Sequence, residues 1–161
     1  MQRVGRVVAL VLDEMQGSVQ EGMSTAALDR VASAALTRYG ARSAPQREYG
    51  FPGCTCISIN DEIVHGVPAD RRLRAGDVVK IDVMADLGGY VADAARTVFV
   101  GAVTAEAVRL RASAVSALSN ALAVARAGRR VSAIGRVIEQ RARQDGFAVI
   151  RELCGHGVTV L

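Results

Sequence analysis

Lys80-Ile81-Asp82-Val83-Met84-Ala85-Asp86-Leu87-Gly88-Gly89-Tyr90-Val91-Ala92-Asp93-Ala94-Ala95-Arg96-Thr97 is the stretch that decides the fold. Two alternating runs, Asp77 to Ala85 and Tyr90 to Val100, flank a glycine-bearing centre and read as an antiparallel hairpin. With Leu87-Gly88 as the turn, Asp82 falls directly opposite Asp93. With Gly88-Gly89 as the turn, the two become diagonal neighbours on the same face. Only an odd-length loop or a bulge would separate them. Like charges so placed repel. A bridging divalent cation, a shared proton, or Arg96 as counter-ion would each offset the repulsion.

Upstream, Val4, Val7, Val8, Val11, Leu12 and Met15 recur at helical spacing and predict an amphipathic helix ending near Gly17. Ser24 is a suitable cap for a second helix, with Leu28, Val31, Ala32, Ala35 and Leu36 as its buried stripe and Gly40 as its stop. Ala41 to Gly53, interrupted by Pro45 and Pro52, reads as irregular. Thr55 to Ile59 reads as a strand, Asn60-Asp61 as a turn, and Glu62 to Pro68 as a short extended segment. Downstream, Thr104 caps an Ala-rich helix running to Gly128, with Val108, Val115, Leu118 and Leu122 expected to face inward. Ser132 is expected to cap another, carrying Ile134, Val137 and Ile138. Phe147 to Leu153 reads as a strand leading into Cys154-Gly155-His156-Gly157.

The chain has 161 residues, 50% of them hydrophobic, which suits a single globular domain over 1–161. Lys and Arg number 20 against 16 Asp and Glu, a net charge of +4. Arginines cluster at Arg71-Arg72-Leu73-Arg74 and from Arg126 to Arg130. Such clusters suit nucleic acid or a ribosome. No aromatic residues interleave them, so a solvated basic face is the plainer reading, with no specific DNA partner. No run approaches the ~20 apolar residues of a membrane span, so no membrane is expected. Three cysteines without a recognisable signal peptide fit a reducing cytoplasm. Cys54 and Cys56 form a lone C-x-C, too little for structural zinc, and Cys56 is most simply a small buried residue.

His156 lies between glycines, which let backbone approach a ligand closely. Taken alone, a histidine near a chain end is more often structural. The other histidine, His65, also sits in a Gly- and Pro-bounded turn. Histidine combined with carboxylates suits Mn, Fe, Co or Zn. Tyr49 and Phe51 are loop aromatics that either line a pocket or cover the core.

Phe51-Pro52, Cys56-Ile57-Ser58-Ile59-Asn60-Asp61-Glu62, Val64-His65-Gly66-Val67-Pro68, Gly76-Asp77-Val78-Val79-Lys80-Ile81-Asp82-Val83, Gly89-Tyr90, Asp93-Ala94-Ala95-Arg96-Thr97 and Gly155-His156-Gly157 occur in one order and spacing. Together they resemble the type I methionine aminopeptidases of the pita-bread metallopeptidase fold, from the first helix to His156. The resemblance implies an α+β fold, creatinase/aminopeptidase-like, with an antiparallel sheet and helices on one side. It implies a cytoplasmic enzyme that removes the initiator methionine from nascent proteins, acting on peptide or protein N-termini. It implies two divalent metal ions, Asp82 holding one, Asp93 bridging both and His156 holding the second. His65 would lie beside the substrate and steady its tetrahedral intermediate, while Phe51 and Cys56 would wall the methionine pocket. A water made nucleophilic by the metals would attack the polarised carbonyl.

Two departures stand out. The family pattern continues with a further glycine, a second substrate-side histidine and two metal-binding glutamates, where this chain reads Val158-Thr159-Val160-Leu161. The second half of the fold is therefore expected to be incomplete, metal binding impaired, and activity small or absent. A non-catalytic remnant contacting nascent chains or the ribosome is the alternative. A separate chain supplying the remaining strands and glutamates is a third reading. Glu48 also falls near an expected pocket tyrosine.

Overall fold

The computed structural model describes residues 1–158. It divides into one unit over Met1–Val103 and another over Thr104–Gly157.

The first unit opens with α1 (Gln2–Ser18), whose residues Val4, Val7, Val8, Val11, Leu12 and Met15 are buried as their spacing predicts. Helix α2 (Thr25–Arg38) starts at Ser24, whose side chain accepts from the Ala27 N–H, and buries Leu28, Ala32, Ala35 and Leu36. The chain then forms a short strand β1 (Arg42–Ser43) and a six-residue helix α3 (Ala44–Tyr49). This segment was expected to be irregular. Ser43 caps the helix and Pro45 sits in its first turn, where its missing N–H costs nothing.

Strand β2 (Cys56–Ile59) pairs with β3 (Val78–Leu87), which also carries β1; β4 (Tyr90–Phe99) pairs along the other side of β3. All pairings are antiparallel. The odd-numbered residues of β3, Val79, Ile81, Val83 and Ala85, are buried beneath α1, which packs on both β3 and β4. The even-numbered ones, Lys80, Asp82 and Met84, are half-buried on the other face. Each fully buried Val, Leu or Ile side chain is worth roughly 1.5–3 kcal/mol relative to exposure, so this helix–sheet layer is the main support of the hairpin.

Asp29, on the flank of the buried stripe of α2, ties the segment before β2 to that helix. Its Oδ2 accepts from the Cys54 N–H at 2.9 Å, and its Oδ1 accepts from the Thr55 N–H at 2.8 Å and the Thr55 hydroxyl at 2.7 Å. Asp29→Ala would leave these donors unpaired and is expected to cost about 3 kcal/mol in urea unfolding. A loss below about 1 kcal/mol would show that water replaces the carboxylate.

In the second unit, α4 (Ala105–Val124) is capped by Thr104 and pairs with α5 (Ser132–Gln144). The buried residues of α4 are the small Ser113, Ala117 and Ala121. Val108, Val115, Leu118 and Leu122 are exposed, contrary to expectation. Helical periodicity identifies an apolar face but not what lies against it, and α5 lies on the small-residue side. Ser132 is not a cap either: α5 begins with Val131 at the cap position, and no side chain satisfies its first turn. Phe147 to Leu153 forms no strand among the described residues. An apolar run becomes a strand only beside a partner edge.

Candidate metal and peptide site

The hairpin turn is Gly88-Gly89, because Leu87 pairs with Tyr90. Both glycines have positive φ, 63° and 86°, as a two-residue type I′ turn requires. A leucine in such a turn would be strained, which excludes Leu87-Gly88. Asp86 secures the turn by accepting from the Gly89 N–H at 2.8 Å, and it is itself paired with Arg47 of α3.

This register sets Asp82 opposite Ala95 and Asp93 opposite Met84. The two carboxylates are therefore diagonal neighbours on one face, the one turned away from α1. Diagonal positions are ~7–8 Å apart at the backbone, within reach of two inclined side chains. Cys56 pairs directly with Asp82 across β2 and β3, on the same face. Burial, and after it the charges of Asp82, Asp93 and Asp29, together push the Cys56 thiol up to about 11. Both carboxylates thus act on one buried sulfur, and that sulfur stays protonated at neutral pH.

Arg96 is not their counter-ion. It pairs with Ile81 in the register and so faces α1, where it donates to Asp13 at 2.6 Å and Gln16 at 2.9 Å.

His65 is exposed in the loop between β2 and β3 and has φ of 58°, uncommon for a non-glycine residue. Its neighbour Gly66 is pressed against β2. The Ile57 N–H donates to the Gly66 carbonyl at 2.9 Å, and the Gly66 N–H donates to the Ser58 hydroxyl at 3.0 Å. Phe51 is half-buried just after α3, its N–H bonded to the Pro45 carbonyl. Glu48 forms an ion pair with Arg47 at 3.3 Å.

His156 belongs to the second unit and is exposed in an irregular segment after α5, with Nδ1 2.9 Å from the Gly157 carbonyl oxygen. Thr159, the residue at the expected glycine position, lies outside the described residues, as do Val160 and Leu161.

Two hard oxygen donors at diagonal positions on one face, with a protonated thiol beside them, suit a divalent cation such as Mn or Co better than a thiolate-bound structural zinc. Among the described residues, no group of three or more His, Cys, Asp or Glu side chains is placed to hold a metal ion. Asp82 and Asp93 thus fit the group as part of a donor set. Sequence reasoning missed Asp29 and the tight seat of Gly66. Asp29 carried a faint signal as an acidic residue beside a buried helical stripe.

A carboxylate hairpin on a helix-backed antiparallel sheet is the framework of a metallopeptidase of the pita-bread type. Residues 1–160 match metallopeptidase family M24, and the chain belongs to that family. It is 43% identical over 159 residues to methionine aminopeptidase 2 of Bacillus subtilis, covering 98% of this chain and 64% of the relative. It is 38% identical over 160 residues to a methionine aminopeptidase of Staphylococcus epidermidis, covering 98% and 63%. Among solved structures, it superposes on methionine aminopeptidase from Thermotoga maritima with a TM-score of 0.95 at 29% identity, covering 98% of this chain and 64% of that one. On the Rickettsia prowazekii methionine aminopeptidase the TM-score is 0.92 at 33% identity, covering 96% and 62%. Pyrococcus furiosus prolidase shares the fold at a TM-score of 0.77 and 19% identity. The chain therefore spans about 64% of the length of the curated relatives it matches.

Proposed function

We propose that the site belongs to a metal-dependent aminopeptidase that releases methionine from protein N-termini. The observation that carries this reading is the placement of Asp82 and Asp93 on one face of the β3–β4 hairpin, beside Cys56. Family membership and the relatives' shared name support it. Asp82 and Asp93 would hold the divalent ions, with His156 as a further ligand. Such ions supply Lewis acidity and lower the pKa of water. Cys56 and Phe51 would border an apolar pocket for the methionine side chain. A neutral thiol suits that task, since a thiolate would compete for the metal. His65 would reach the scissile peptide from its loop, with Gly66 fixing the loop's position. The cytoplasm, where new N-termini leave the ribosome, is the proposed location, and the ribosome a proposed partner.

The test is methionine release from a Met-Ala-Ser peptide by the 161-residue chain with added Mn or Co. Turnover should need added metal and fall by at least about 100-fold in Asp93→Ala, since losing a metal-holding carboxylate removes both the ion and the water it activates. Release that persists in Asp93→Ala, or equal release from Lys-Ala-Ser, would refute the reading.

A further inference from the structure

A basic pocket is built on the segment Ala69–Arg74, which lies beside the start of α2. This segment is bonded to the start of α2 through Ala26 N–H to Ala69 O at 2.9 Å, Thr25 N–H to Arg71 O at 3.0 Å, Leu73 N–H to Met23 O at 2.9 Å and Gly22 N–H to Leu73 O at 2.8 Å. Leu73 is 1% exposed and pins the segment from below, while Arg71, Arg72 and Arg74 project outward. With Asn60 and Asp77 they line a cavity of about 440 Å³.

Three arginines share the pocket wall with Asp77, and Glu62 pairs with Arg71, so two carboxylates are set against three guanidinium groups and both are already engaged. Asp77 is buried, accepting from Asn60 Nδ2 at 2.9 Å and from the Arg74 N–H at 2.8 Å. Arg71 is paired with Glu62 at 2.6 Å, and Arg72 donates to the Gly22 carbonyl at 2.8 Å. The Arg74 side chain has no hydrogen-bond or ion-pair partner among the described residues. The pocket thus has surplus positive charge on a backbone already held in place. Guanidinium forks match the geometry of phosphate oxygens and bind them with charge-assisted hydrogen bonds.

We propose that this pocket binds the terminal phosphate of a small phosphate monoester. The cavity lies in the ~300–1,000 Å³ range of small-ligand sites, so it has room for an organic group beyond the phosphate. A single concave pocket without aromatic side chains does not suit single-stranded nucleic acid, which needs a groove and stacking surfaces. The pocket uses none of the residues assigned to the metal and peptide site.

The test is calorimetric titration of the 161-residue chain with adenosine 5′-monophosphate, with adenosine and with a single-stranded RNA oligomer. The monophosphate should bind, adenosine should not, and Arg74→Ala should weaken binding by about 10-fold or more. The Arg74 side chain makes no hydrogen bond or ion pair among the described residues, so the variant should fold, and an unchanged circular dichroism spectrum would verify this. Arg72→Ala should weaken binding to a similar degree. Absence of monophosphate binding, equal binding of adenosine, binding of the RNA oligomer alone, or affinity unchanged in Arg74→Ala would each overturn the proposal.

Discussion

The double exchange Asp82→Asn, Asp93→Asn is expected to lower the affinity for Mn by at least about 100-fold. Both side chains leave the same face of the β3–β4 hairpin at diagonal positions, and the sheet behind them is rigid because α1 buries its other side. Asparagine keeps the shape and removes the charge. The loss therefore reports the two carboxylates as donors, since even outer partners of metal ligands cost about 10–100-fold when removed. Arg96 is engaged with α1 and cannot take the cation's place. Each single exchange should give a loss of about 10-fold or more. Titration followed by the electron paramagnetic resonance of free Mn measures this. An affinity within about threefold of the original would place the ion elsewhere.

Gly66→Ala is expected to destabilise the first unit by about 2–4 kcal/mol. A β-carbon at this position would lie 2.2 Å from the Ile57 carbonyl oxygen, 2.7 Å from its carbon and 2.8 Å from the Ser58 α-carbon. All three are backbone atoms of β2, so no rotamer change relieves the overlap. The loop would have to lift, losing the bond from Ile57 N–H to Gly66 O and that from Gly66 N–H to Ser58 Oγ. His65 would move with it. Urea unfolding should show a lower midpoint. A midpoint within about 0.5 kcal/mol of the original would mean that the loop is not seated as described.

The hairpin was legible because its signals are local. Period-2 alternation named the strands, and the positive φ required of a type I′ turn favours Gly88-Gly89 over Leu87-Gly88. The first two helices were legible for the same reason, through apolar spacing and the Ser24 cap. Most of what failed depended on partners distant in sequence. The apolar face of α4 is readable from periodicity, yet its burial depends on what packs there. Phe147 to Leu153 has strand-like composition but no strand forms from it. Helix α3 was hidden by Pro45, which reads as a breaker unless its place just after the Ser43 cap is noticed.

At the site, Asp82 and Asp93 could be placed on one face from either register, and the observed one makes them diagonal neighbours. The role of Asp29 was not legible, because its partners are backbone groups 25 and 26 residues further on. Of the three ways to offset the repulsion between Asp82 and Asp93, Arg96 as counter-ion is the one the register removes, because faces alternate along β4 and Arg96 lies opposite Ile81.

Anomalous diffraction from crystals of the 161-residue chain soaked in Mn is the most direct test of the carboxylate pair as a cation site. We predict a peak about 2.0–2.3 Å from carboxylate oxygens of both Asp82 and Asp93. A peak touching neither carboxylate, or no peak at the hairpin at saturating Mn, would contradict the account.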